Sequence, residues 1–103
     1  MQNDNTGISK KVIDQIKALA KQHNVRKVVL FGSRARGDYR ERSDIDLAVY
    51  DGDYARFALD VDDETHTLLS YDIVDMNKSV DSELVESIER EGIILYEKVW
   101  KFL

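Results

Sequence analysis

The sequence predicts an α/β fold: one small sheet of about four strands with helices packed on it. Three observations lead there. Four short apolar runs, at 27–31, 44–50, 71–76 and 93–96, are rich in the β-branched and aromatic residues that suit a pleated surface. Before and between them lie segments whose apolar residues recur at three- and four-residue spacing, the mark of a helix with one buried face. Helices that alternate with strands in this way pack onto a shared sheet. The composition agrees: 43% apolar and 34% charged residues is too apolar for disorder and too charged for a membrane protein.

Taken in order, residues 1–8 are polar and expected to fray. Ser9 can cap a helix running to about His23, because Val12, Ile13, Ile16, Leu19 and Ala20 share one face and lysines the other. The run 27–31 is continuously apolar and ends in Gly32, as a strand buried on both faces would. A short helix starting at about Ser33 and closed by Gly37 would aim backbone N–H groups at an anion. Residues 38–43 are polar and read as a loop, 44–50 as the second strand and 51–53 as its turn. From Tyr54 to about Leu69 the residues Tyr54, Phe57, Ala58, Val61 and Leu68 keep helical spacing, with Asp60, Asp62, Asp63 and Glu64 mostly outside. The third strand is 71–76. Ser79 or Asp81 can cap a helix through about Glu91, with Leu84, Val85 and Ile88 inward and Gly92 as its stop, and 93–96 is the fourth strand. The tail 98–103 places Val99, Trp100, Phe102 and Leu103 together, to fold back on the core or to meet a partner. No repeat or linker interrupts residues 1–103, which read as one domain.

Several function classes drop out. No apolar run approaches the roughly 20 residues of a membrane span, and the N-terminus lacks the apolar centre of a signal peptide, so no membrane role and a cytoplasmic location are expected. The absence of cysteine excludes disulfides and thiolate ligands. His23, at a helix end, and His66 are read as bystanders. The net charge of -5 is uneven: residues 1–50 hold ten Lys/Arg against six Asp/Glu, and residues 51–97 three against fourteen. Basic character is therefore local, which argues against direct nucleic-acid binding. Arg34, Arg36, Arg40 and Arg42, four of the seven arginines, fall between Gly32-Ser33 and Asp44, where they could meet an anion.

The chemistry concentrates in the stretch 28–49. A strand ends at Gly32-Ser33, ten residues follow, and Asp44-Ile45-Asp46 opens the next strand. Side chains alternate along a strand, so Asp44 and Asp46 share a face, about 7 Å apart by strand rise. Two carboxylates so placed can hold divalent metal ions, and folding alone has no use for them there.

This spacing resembles the signature of the minimal nucleotidyltransferases of the DNA polymerase β superfamily, in particular the MntA-like antitoxins paired with helical HEPN ribonuclease toxins. The resemblance spans residues 25–96. It implies a mixed sheet, with Asp44 and Asp46 as the metal-holding pair and Gly32 and Ser33 gripping the β- and γ-phosphates. A third catalytic, metal-binding carboxylate is implied at Asp72, the first Asp of an Asp-x-x-Asp run, with Asp75 facing away unless a bulge reverses the two. Of the two helical arginines, Arg36 is preferred to Arg34 as the inward phosphate contact; Arg40 and Arg42 are read as solvated loop charges. Also implied are Mg²⁺ as two ions, with Mn²⁺ as the substitute, and ATP as substrate.

The activity so implied is transfer of NMP, in the first place AMP from ATP, to a hydroxyl. In the resembled antitoxins that hydroxyl belongs to a tyrosine of the HEPN toxin, held in a heteromeric complex. Two other readings stand beside it: an antitoxin that neutralises by binding alone, and a transferase acting on a small molecule of the aminoglycoside type. The acceptor, the number of nucleotides added and any homo-oligomer stay open.

Overall fold

The computed structural model describes residues 4–99. Helix α1, Lys10–Gln22, starts where Ser9 Oγ accepts the Val12 amide at 3.2 Å, as the cap predicts. It buries Val12, Ile13, Ile16, Leu19 and Ala20. Strand β1 is Lys27–Phe31, followed at once by the short helix α2, Gly32–Arg36. Strand β2 is Ile45–Tyr50, α3 is Tyr54–Glu64, β3 is Tyr71–Asp75, α4 is Ser82–Glu91 with Asp81 as its cap, and β4 is Ile93–Glu97.

The four strands lie in the order β3-β2-β1-β4. β1 runs antiparallel to β2 and to β4, whereas β2 and β3 are parallel, so the sheet is mixed. A parallel pair needs a crossover, and α3 supplies it. β1 and β2 are joined by α2 and the loop 37–44 in place of a tight hairpin, which sets a long irregular connection at one end of the two central strands.

Alternation divides the core in two. Val28, Leu30, Ile45, Leu47 and Val49 pack on one face with Ile16 of α1 and with Phe57 and Val61 of α3. Val29, Phe31 and Ala48 pack on the other with Ile88 of α4. This second cluster is the smaller, and the next β2 residue on its face toward the strand start is Asp46.

Three expectations are corrected. Residues 1–8 do not all fray: Asp4–Thr6 form a 3-10 turn, and Thr6 is buried with its carbonyl bonded to Arg34 Nη1 at 2.8 Å. Helix α3 does not reach Leu69; Thr65 ends it, its hydroxyl donating to the Val61 carbonyl at 2.7 Å, and Leu68 is fully exposed. Asp44 lies one residue outside β2. In the tail, Val99 is exposed, and Trp100, Phe102 and Leu103 lie outside the described residues.

Candidate active site

Gly32 begins α2 with φ of 74°, a left-handed conformation open to glycine but costly for other residues. Phe31 is the register partner of Asp46, which brings Gly32 against that aspartate; a Cβ on Gly32 would collide with Asp46 Oδ2. The space a side chain at position 32 would need is thus taken by the carboxylate. After Ser33 the chain turns back: the Ser33 carbonyl accepts the Gly37 and Asp38 amides at 2.8 and 3.1 Å, with Gly37 left-handed at φ of 92°.

Asp46 and Asp72 are register partners across the parallel β2–β3 pair. The register runs without a break from Ile45↔Tyr71 to Val49↔Asp75, so no bulge intervenes, and Asp75 falls on the opposite face from Asp72. Asp75 is occupied locally, accepting the amide and side-chain nitrogens of Asn77 at 3.0 and 2.9 Å. Asp44 and Asp72 are exposed and Asp46 is half-buried. Next to Asp44, the Ile45 amide is held by the Ser70 carbonyl at 2.9 Å, tying the start of β2 to the approach to β3.

Asp72 and Asp44 both act electrostatically on Asp46. Burial, then the charge of Asp72, then that of Asp44 push the Asp46 carboxyl up to about 6, against opposing pulls from Arg36 and Arg34. No ion pair or side-chain hydrogen bond among the described residues neutralises Asp44, Asp46 or Asp72. Oxygen donors of one sign that lack a direct ion pair suit a hard divalent cation. Among the described residues no three acidic or histidine side chains are already drawn together as a cage, as mutual repulsion of like charges dictates.

The arginines divide differently from expectation. Arg34 is the inward one, 2% exposed, with its guanidinium spent on backbone carbonyls of the following loop. Arg36 is exposed and pairs with Asp38 at 3.3 Å and Glu91 at 3.2 Å. Two arginines at alternate positions of a five-residue helix cannot both face the core, and spacing alone does not say which one does. Arg40 and Arg42 are exposed. His23 meets Asp60 at 2.7 Å, bridging α1 to α3, and His66 is linked through its amide to Gln15.

The polymerase beta nucleotidyltransferase family model matches residues 14–99. This chain belongs to that family. A curated protein of Methanocaldococcus jannaschii, "Putative protein adenylyltransferase MJ0604", is 36% identical over 70% of this chain and 79% of its own. Two solved structures share the fold. A toxin–antitoxin with AMP-PNP superposes with a TM-score of 0.68 at 23% identity, covering 84% of this chain and 73% of that one. A mutant of the toxin–antitoxin MntA-HpeT superposes with a TM-score of 0.67 at 21% identity and the same coverage. The chain is therefore a nucleotidyltransferase, built on the mixed four-stranded sheet of the polymerase beta family. No helix among the described residues is long and apolar enough to cross a membrane.

Proposed function

We propose that this nucleotidyltransferase is an antitoxin that moves AMP from ATP to a tyrosine hydroxyl of a HEPN ribonuclease toxin. The observation that carries the reading is the pairing of Asp46 with Asp72 directly beside Gly32, which sets acidic groups and a close-approach turn at one end of the sheet. The adenylyl group and the protein acceptor are supported by the name of the Methanocaldococcus relative; the toxin and the adenine nucleotide are supported by the fold neighbours.

In this reading Gly32 and Ser33 receive the β- and γ-phosphates, the glycine by letting an oxygen come near the backbone and the serine by its hydroxyl. Arg36, at the rim, adds a guanidinium once it exchanges Asp38 or Glu91 for a phosphate oxygen. Asp44, Asp46 and Asp72 would hold two Mg²⁺ ions, with Asp44 and Asp72 exposed and able to swing toward Asp46. Bound there, the ions supply neutralisation of the phosphate oxygens and of the pyrophosphate leaving group. The tyrosine oxygen attacks the α-phosphorus, the bond from that phosphorus to the pyrophosphate oxygen breaks, and Asp72 accepts or steers the hydroxyl proton.

The test is incubation with a candidate HEPN toxin partner, α-labelled ATP and Mg²⁺. Label is expected on the toxin and is expected to vanish in the Asp44→Asn/Asp46→Asn double variant. Label that survives the double change overturns the proposal, and a double variant that still neutralises the toxin favours occlusion over chemistry.

A further inference from the structure

Arg34 is the only charged side chain that the fold buries among the described residues, at 2% exposure, and no carboxylate there pairs with it. A buried charge is costly unless its donors are satisfied. Carbonyl oxygens satisfy this one: Nε donates to Ser43 at 3.0 Å, Nη1 to Thr6 at 2.8 Å, and Nη2 to Glu41 at 3.1 Å and Arg40 at 3.5 Å. The Tyr39 ring lies 4.6 Å from the guanidinium carbon. Three of the four carbonyls belong to the four residues that lead into Asp44, and Arg34 itself follows Ser33. One planar, rigid group therefore spans from the proposed phosphate turn to the residue before a proposed metal ligand.

We propose that Arg34 is a positioning residue of the transfer reaction: its guanidinium fixes the loop 40–43 so that Asp44 stands at a set place relative to Gly32 and Ser33. This rests on the reading that Asp44 and the Gly32-Ser33 turn carry the chemistry. A lysine at position 34 keeps the charge but is a flexible point donor, unable to hold carbonyls of four residues in one plane. Thr6 closes the far side of the same cage, and Gly7 packs where any side chain would strike Tyr39 and Arg34. The N-terminal turn is thereby part of the support.

The test uses the full chain with Arg34→Lys and Tyr39→Leu, scored per folded molecule. Arg34→Lys should lower kcat for toxin labelling by about 100-fold while KM for ATP stays within about threefold, because a displaced carboxylate spoils alignment more than ground-state binding. Hydrogen exchange, read without nucleotide or metal, should quicken at the Arg40 and Ser43 amides, which the loop's own bonds protect, and stay unchanged in α1 and β1. Should Arg34→Lys not fold, Tyr39→Leu carries the test, with a fall in kcat of about fivefold to tenfold at constant KM and the same local exchange. A kcat within about threefold of wild type, a loss confined to KM, or unchanged loop exchange overturns the proposal. Asp44→Asn is the control. If it keeps full activity, the site reading fails; if it is inactive while Arg34→Lys is not, only the positioning role fails.

Discussion

Asp46 stands opposite Asp72 on the parallel β2–β3 ladder, and burial together with the charge of Asp72 raises the proton affinity of Asp46. Neighbouring strands are only about 4.8 Å apart, so two carboxylates facing the same way repel unless something positive comes between them. Folding gains nothing from that arrangement, and a cation-dependent reaction on phosphates does.

Burial of Asp46, with that repulsion added to it, predicts a trade between stability and activity. The Asp46 carboxyl is raised from 3.8 to about 6 in the folded chain, so between those values the folded state binds more protons than the unfolded one. Stability therefore falls as pH rises through this window, and the whole penalty persists above it. Asp46→Asn should raise Tm at about pH 7.5 and raise it much less near pH 4, while transfer drops by roughly 10³-fold. Thermal melts at the two pH values check the first part and labelling the second.

Gly32→Ala should be costly twice over. The left-handed φ strains any other residue, and the added Cβ meets the Asp46 carboxylate. A destabilisation of about 1–3 kcal/mol is expected from the two together. In an Asp46→Ala background the same change should cost less, since only the backbone strain remains; a double-mutant cycle by denaturant unfolding reads the difference.

Asp72 and Asp75 should separate cleanly. Asp72→Asn should cut transfer by about 100-fold or more while slightly raising stability at neutral pH, because it relieves part of the penalty on Asp46. Asp75→Asn, on the other face and bonded to Asn77, should leave kcat within about threefold and cost about 0.5–1.5 kcal/mol. Steady-state kinetics and urea unfolding of the pair decide the assignment.

Thr65→Val tests the end of α3. The hydroxyl bonds the Val61 carbonyl and, at 2.8 Å, the Tyr71 hydroxyl, so its loss leaves partly buried polar groups without partners. A loss of about 1–3 kcal/mol is expected by urea unfolding, with the rate per folded molecule little changed.

Much of this was legible in the residues. Ser9, Gly32, Gly37, Asp81 and Gly92 mark element ends through local chemistry, and the opposed faces of Asp72 and Asp75 follow from strand alternation alone. What escaped depends on tertiary contacts. Leu68 extends the apolar spacing of α3, yet the backbone turns extended at Thr65, whose hydroxyl also meets that of Tyr71 on β3, and Leu68 is left in water. Thr6 looks like part of a polar tail until Arg34 reaches it from 28 positions along the chain. Arg34 and Arg36 are equivalent by spacing, and only the folded loop chooses between them.

The most direct measurement is a crystal structure of the chain with Mn²⁺ and a non-hydrolysable ATP analogue. The account predicts anomalous density bounded by Asp44, Asp46 and Asp72, with the β- and γ-phosphates on the Gly32-Ser33 backbone. Nucleotide bound away from that turn, or manganese that leaves Asp46 and Asp72 untouched, would contradict it.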